Sequence, residues 1–202
     1  MTAAPTGGYR LIVVGVSAGG LFALRELVSA LPRGFDIPIV VVQHRSKESE
    51  ALCDLLQECT HLRVGEANDK EPILAGGVYV APPDYHLLVE PGYFSLSTDE
   101  PVRYSRPSID VMFASAADAY GADVIGVVLT GANADGSRGL QKIVRRGGYA
   151  IVQDPADAEV KVMPHSALKA VPGACVLPLK RIAPHLAAIR GRSVPPCRAV
   201  TA

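Results

Sequence analysis

The sequence has no excess of either charge sign: Lys plus Arg total 20 and Asp plus Glu total 20, a formal net charge of zero. Proteins that bind nucleic acid or anionic membranes usually carry a basic excess, so this balance argues against both partners. Long apolar runs are also missing. Leu11 to Val14, Ile37 to Val42 and Val124 to Leu129 fall far short of the roughly 20 residues that cross a bilayer, which argues against membrane insertion. Met1 to Tyr9 lacks a basic stretch followed by an apolar one. No secretory signal is read there, and a cytoplasmic location is expected. The 4 cysteines form no Cys-x-x-Cys and no Cys/His ligand pattern. Cys53 and Cys59 fall on one expected helix, Cys175 in an apolar strand and Cys197 near the end of the chain. Reduced thiols are therefore expected, mostly in the core, with no metal site. No internal repeat is visible.

What is present suits one globular domain. The 202 residues can bury a sizeable core without staples, and 49% hydrophobic with 20% charged residues is an ordinary soluble composition. Apolar β-branched runs predict buried strands at Arg10 to Gly15, Ile37 to Gln43 and Val124 to Leu129. Helical spacing is read at Leu21 to Leu31, Lys47 to Glu58, Ser108 to Tyr120 (with Ser108 as N-cap), Ser137 to Arg146 and Ile182 to Ile189. Tyr149 to Gln153 and Ala174 to Leu177 read as further strands. The middle differs: Val78 to Ala81, His86 to Glu90 and Tyr93 to Ser97 are short alternating segments in a proline-rich region. Glu90-Pro91-Gly92 there signals a hairpin. The expected fold is α/β: a doubly wound, mostly parallel sheet with an antiparallel hairpin and helices on both faces. It forms one domain over 10–190, followed by a flexible tail over 191–202.

In such a sheet the loops after the C-terminal strand ends share one edge, and sites lie there. Gly15-Val-Ser-Ala-Gly-Gly20 follows the first apolar strand. Gln43-His44 follows the second, and Thr130-Gly-Ala-Asn-Ala-Asp-Gly136 the third. A serine hydroxyl needs a base to become a nucleophile, and imidazole supplies one near neutral pH. A carboxylate on the other ring nitrogen fixes the tautomer. Each constellation also has a structural explanation of its own: a strand-to-helix turn, a hydrogen-bonded strand-end histidine, a turn with an N-cap. Convergence of all three favours catalysis by Ser17 and His44. Backbone amides of Ala18, Gly19, Gly20, Ala132 and Asn133 are candidates to hold an oxyanion.

Rival patterns fit less well. Gly15-x-Ser17-x-Gly19 satisfies the nucleophile elbow of α/β-hydrolases, and Asp135 followed by His165 or His185 satisfies their order. That fold, however, places several strands before the serine. A dinucleotide fingerprint fails because Ser17 occupies its middle glycine, and no Walker loop occurs. By spacing alone, Asp135 and Asp154 remain equal candidates for the carboxylate.

At these residues the chain resembles the catalytic domain of the chemotaxis-receptor methylesterases. The resemblance runs from Leu11 to Ile189. It includes Val14-Gly-Val-Ser-Ala-Gly-Gly20, Val42-Gln-His44, Ala81-Pro-Pro-Asp-Tyr-His-Leu-Leu88, Arg106-Pro-Ser-Ile-Asp-Val-Met-Phe113, Gly126-Val-Val-Leu-Thr-Gly131 with Asp135-Gly136, Gln153-Asp154 and Met163-Pro164. It implies an α/β fold and a triad of Ser17, His44 and Asp135, preferring Asp135 to Asp154. It implies hydrolysis of glutamate γ-methyl esters on the cytoplasmic helices of methylated chemoreceptors, with deamidation of particular glutamines, and no metal or organic cofactor. The sequence departs from the family pattern at Ala18, usually Thr, at Ala132, usually Met, and at Arg45-Ser46, usually Met-Pro. The nine residues before the first strand are also too few for the phosphoreceiver domain of the best-known members. These departures frame two alternatives, a receptor-docking module without turnover and an esterase for a different carboxyl ester. Arg106 is a candidate contact for an anionic substrate segment. His86 and His165 read as structural, and Arg103 and Tyr104 as loop surface.

Overall fold

The structure, a computed structural model, describes residues 8–44, 51–189 and 191–197. In chain order its elements are β1 (Leu11–Val16), α1 (Gly20–Ser29), β2 (Ile39–Gln43), α2 (Leu52–Gln57), β3 (Arg63–Glu66), β4 (Gly77–Val80), β5 (His86–Glu90), β6 (Tyr93–Ser97), α3 (Ile109–Tyr120), β7 (Val124–Val128), α4 (Ser137–Arg145), β8 (Tyr149–Gln153), α5 (Val162–Ala170), β9 (Cys175–Leu177) and α6 (Leu179–Ala188).

The β-branched runs form the middle of a seven-stranded sheet in the order β3-β4-β2-β1-β7-β8-β9, with every pairing parallel. Because β1 is covered on both faces, all six of its residues are buried and it shows no polar alternation. Its side chains still divide by parity. Ile12, Val14 and Val16 join a core with Leu24 and Leu27 of α1, Leu52 and Leu56 of α2, and Ile182 and Leu186 of α6. Leu11 and Val13 join the opposite core, with Met112 and Phe113 of α3, Leu140 of α4 and Ala167 of α5. The β5–β6 hairpin adds Leu87, Val89 and Phe94 to that second core. Full burial of each Leu, Val or Phe contributes about 1.5–3 kcal/mol, so the two cores fix the helices to their faces.

The chain starts in the centre of the sheet and builds outward through β2 to β4 and β3. It then returns to the other side of β1 as β7 and continues to β8 and β9. The direction of winding changes between β1 and β7, the position where sites lie in doubly wound sheets.

The doubly wound architecture, the hairpin and the two-faced helix cover agree with the sequence reading. Four details are corrected. Val78 to Ala81 is not part of antiparallel edge structure: β4 lies inside the main sheet, between β2 and β3. β3 was not expected, because Arg63 and Glu66 are exposed edge residues that give Arg63–Glu66 no apolar run. Nor was α5, whose Met163-Pro164 start hides its helical spacing, although proline is tolerated in a first helical turn. Finally, Cys175 and Cys197 are joined in a disulfide, while Cys53 and Cys59 are half-buried. The two partners are 22 residues apart in sequence, and only the position of β9 at the sheet edge brings them together. Of the tail expected over 191–202, residues 198–202 fall outside the described residues and 191–197 make contacts with the domain. Val194 packs on the first core, and Arg192 contacts the Ala122 carbonyl and the Asp123 carboxylate. The part of the expected second helix at Lys47 to Glu50, and the departure at Arg45-Ser46, fall outside the described residues. Among the described residues, no helix is long and apolar enough to cross a membrane.

Candidate active site

Ser17 follows the last residue of β1, and His44 follows the last residue of β2. The register pairs Val16 with Gln43, so the serine and the histidine leave neighbouring strands at the same level. Their backbones are clamped. Ser17 N–H donates to the Thr130 carbonyl at 3.0 Å, and His44 N–H donates to the Val16 carbonyl at 3.2 Å. Gly19 then turns the chain with φ 76°, a left-handed conformation that suits glycine, and α1 begins. The turn is packed tightly: a Cβ on Gly19 would lie 2.7 Å from a Glu159 carboxylate oxygen.

Asp135 comes from the loop after β7 and is 1% exposed. One carboxylate oxygen, Oδ2, accepts from His44 Nε2 at 2.9 Å and from Ile109 N–H at 2.7 Å. The other, Oδ1, accepts from Asp110 N–H at 2.9 Å, Ser108 Oγ at 3.0 Å and Gly136 N–H at 3.0 Å. The carboxylate thus sits on the N-terminus of α3, where free backbone donors and the helix dipole both favour a negative charge. Burial by itself would push the Asp135 carboxyl up. The hydrogen bond from His44 and those from the Asp110 and Ile109 amides outweigh it and hold the group below the usual carboxylate value. Neighbouring Asp110 is shifted the other way: burial raises it against the hydrogen bond from Gly139 N–H, and the Asp135 charge raises it further.

The other side of the His44 ring faces Asn133, whose Nδ2 lies 3.1 Å from His44 Nδ1. The orientation of this amide is set by its own network, because Asn133 Oδ1 accepts from Asp135 N–H at 3.0 Å. Nδ2 is therefore the donor, Nδ1 the acceptor, and Nε2 carries the proton toward Asp135. One tautomer satisfies all three groups. The ring nitrogen with an available lone pair is Nδ1, and it is capped by Asn133. Among the described residues no hydrogen bond joins Ser17 Oγ to His44. Such contacts commonly tighten only when substrate binds.

A polar strap ties these loops together. Thr130 Oγ1 donates to the Ala18 carbonyl at 2.9 Å and accepts from Val160 N–H at 2.9 Å. Thr130 N–H donates to the buried Gln153 Oε1 at 2.9 Å. At Gly131 the backbone passes so close to Ser17 that a Cβ would lie 2.9 Å from the serine Cβ and would overlap the Met163 sulfur. The rival carboxylate, Asp154, instead accepts from Ala156 N–H in a local turn.

A cleft of about 280 Å³ opens beside His44, lined also by Tyr104, Ser105, Arg106 and Pro107. Arg106 is directed away from an anion-binding role at its Nη1, which donates to the Thr98 and Asp99 carbonyls at 2.9 and 3.1 Å. Arg103 and Tyr104 form a tight turn with φ 50° and 64°, closed by the pairing of Val102 with Ser105. Left-handed conformations at two non-glycine residues cost energy and are characteristic of functional loops. Arg103 Nη1 holds the turn to the Ala134 carbonyl at 3.1 Å, and Tyr104 is fully exposed. Of the oxyanion candidates, Gly20 N–H is engaged by the Ser17 carbonyl at 2.9 Å, while Ala18 and Ala132 are exposed. A larger hollow of about 890 Å³ lies at the opposite sheet edge, around Tyr9, Phe35 and Tyr120. Its size does not make it the site, since its lining includes no serine, cysteine or histidine.

Sequence reasoning missed the roles of the α3 N-terminus and the Asn133 side chain, whereas Tyr104, read as loop surface, is indeed fully exposed. Ser108 was legible as an N-cap, which its side chain is, accepting from Val111 N–H at 3.4 Å. That the same hydroxyl also holds Asp135 had no local signal. His86 is structural, as expected: Nδ1 accepts from Ser108 N–H at 3.2 Å, and Nε2 faces the Glu100 carbonyl at 3.1 Å.

The sequence and the fold match known proteins. Residues 12–186 match the family model described as CheB methylesterase. The chain belongs to the CheB methylesterase family. A relative from Carboxydothermus hydrogenoformans, a protein-glutamate methylesterase/protein-glutamine glutaminase, is 42% identical over 188 residues, covering 90% of this chain and 55% of its own length. One from Leptospira interrogans, provisionally given the same pair of activities, is 49% identical over 177 residues, covering 87% of this chain and 92% of its own. The crystal structure of the Thermotoga maritima CheB methylesterase catalytic domain superposes with a TM-score of 0.86 at 34% identity, covering 89% of this chain and 98% of that one. The CheB fold therefore accounts for the parallel sheet and the hairpin alike.

Proposed function

We propose that this chain is a protein-glutamate methylesterase in which Ser17 is the nucleophile, His44 the base and Asp135 the carboxylate that orients it. The substrate is the γ-methyl ester of glutamate on the cytoplasmic helices of chemoreceptors. Asn133 Nδ2 first releases His44 Nδ1; Ser17 Oγ then attacks the ester carbonyl and gives its proton to that nitrogen. The positive charge that forms on the ring is stabilised through Nε2–H by the buried Asp135 carboxylate. Methanol leaves with the proton from Nδ1, and water hydrolyses the acyl-serine by the reverse proton path. The same sequence on a glutamine side chain releases ammonia, which accounts for a glutaminase activity. Amides of the Ala18-Gly19 turn and of Ala132-Asn133 are the donors proposed for the oxyanion.

The observation that carries this reading is the 2.9 Å bond from His44 Nε2 to an Asp135 carboxylate anchored by four further donors, at the strand edge shared with Ser17. The test is release of methanol from methyl-labelled receptor fragment by the wild-type chain and by Ser17→Ala. We expect the variant to lose about 10⁴-fold or more in rate. Undiminished turnover by Ser17→Ala would remove the serine mechanism. Turnover absent from both folded proteins would favour a docking role or a different ester.

A further inference from the structure

The second chemically loaded place in this fold lies at the far edge of the sheet, away from Ser17. Cys175 opens β9, Tyr149 opens β8, His185 projects from α6, and Cys197 lies on the segment that returns along this edge. Cys175 and His185 are buried, 4% and 8% exposed. The two sulfurs and a ring nitrogen of His185 all lie within 4.8 Å of one another. Cys175 Sγ is 4.0 Å from His185 Nε2, and the Tyr149 hydroxyl is 2.9 Å from that nitrogen and 3.3 Å from Cys197 Sγ.

A disulfide needs only two cysteines. It gives no reason for an imidazole nitrogen and a phenol to converge on the same two sulfurs. Two thiolates, one imidazole and an oxygen form the donor set that selects a tetrahedral, thiophilic cation. Metal–sulfur bonds of about 2.3 Å and metal–nitrogen bonds of about 2.0–2.1 Å place neighbouring donors of a tetrahedron roughly 3.5–3.8 Å apart. The 4.0 Å from Cys175 to His185 already approaches that spacing. The Cα atoms of the two cysteines are 5.6 Å apart, and rotation of the Cys197 side chain, on an exposed segment, can open the remaining edge of the tetrahedron.

We propose that Cys175, His185 and Cys197, in the reduced chain, form a binding site for a divalent cation of the zinc class, with the Tyr149 hydroxyl or a water completing it. A dithiol reductant donates two electrons and two protons to the Cys175–Cys197 bond and becomes a disulfide itself. The cation then displaces one proton from each of the two thiols, while neutral His185 binds through Nε2. The consequence is that residues 191–197 are fastened to β8 and β9 in both redox states, by a disulfide when oxidised and by a metal when reduced. The site is independent of the esterase reading, because it shares no residue with it.

The test is titration of Co²⁺ into the full chain, reduced with a non-thiol phosphine that is then removed. We expect thiolate-to-cobalt charge transfer and tetrahedral visible bands that saturate at one equivalent and are erased by Zn²⁺. Oxidised chain should give neither band. Cys197→Ser and His185→Ala should weaken binding about 100-fold or more, and the double variant Cys53→Ser/Cys59→Ser should leave it unchanged. Because His185→Ala could disturb the fold, alkylation of Cys197 in the wild-type chain supplies a second reading. Zn²⁺ should slow this alkylation more than tenfold. No stoichiometric Co²⁺ signal in the reduced chain would overturn the proposal. So would a signal that survives Cys197→Ser or disappears in the Cys53/Cys59 variant.

Discussion

Replacing Asp135 by Asn changes one oxygen for one NH₂ group, and the structure determines what each hydrogen bond then does. The better orientation keeps the amide oxygen at Oδ1, where three donors converge, and puts Nδ2 at Oδ2. Nδ2 then meets Ile109 N–H at the present 2.7 Å, donor against donor. An unsatisfied buried N–H costs about 1–3 kcal/mol, and the charge-assisted character of the other bonds is lost as well. A loss of roughly 2–4 kcal/mol in stability follows. The amide also donates toward His44 Nε2, which forces the proton onto Nδ1. There it faces Asn133 Nδ2 at 3.1 Å, and the nitrogen that must accept the proton of Ser17 no longer has a lone pair. A wrong tautomer costs a serine hydrolase about 10⁴-fold in kcat, about 5.4 kcal/mol in the barrier. The assays are methanol release at saturating receptor fragment and denaturant unfolding of the same preparations. Activity within tenfold of wild type in a folded Asp135→Asn chain would refute the reasoning, since Nε2–H would then not be the required tautomer.

The same carboxylate predicts a pH dependence. Its folded pKa is depressed, so its contribution to stability is complete above the unfolded value of about 3.9 and fades as pH falls through the lower folded value. The stability gap between wild type and Asp135→Asn should therefore narrow when unfolding is measured at pH 5, 4, 3 and 2, and a constant gap would contradict it. Gly131→Ala should lower stability by about 1–3 kcal/mol or more and reduce kcat, because the added methyl meets Met163 and the Cβ of Ser17. A variant with wild-type melting and rate would show that the strap can yield. Tyr104→Ala should leave the melting temperature within about 1–2 °C, since a fully exposed ring contributes little to the core. It should raise KM for receptor fragment several-fold; unchanged KM would remove Tyr104 from substrate contact.

How much was readable in advance follows the range of the interaction. Buried strands such as Val124–Val128 declare themselves by composition, and the placement of Ser17, His44 and Asp135 on one edge follows from parallel topology alone. Arg63–Glu66 was invisible because an edge strand pairs on one side only, and its exposed ends have no need of apolar residues. The choice of Asp135 over Asp154 could not be read from spacing, because both follow strands. The structure puts Asp135 rather than Asp154 beside His44, held there by the free amides of α3, whose Ile109 and Asp110 lie 26 and 25 residues from the carboxylate. Asn133 was legible only as a backbone donor. Its side chain acquires a role from two partners, the His44 ring and Asp135 N–H, and the first of these is 89 residues away. Cys175 and Cys197 failed for the same reason.

The pairing of Val16 with Gln43 has a mechanical consequence. The serine and the histidine stand one residue beyond a ladder rung between two central strands, so their separation is gauged by the interstrand spacing of about 4.8 Å rather than by the conformation of a loop. Central ladders are among the last parts of a protein to open, and their amides exchange only on global unfolding. Heating should therefore silence this pair only when the whole sheet melts, while the Arg103-Tyr104 turn beside it is free to loosen far earlier. The proposed nucleophile and base are thus built as a gauge block, and the adjustable jaw is the turn that faces them.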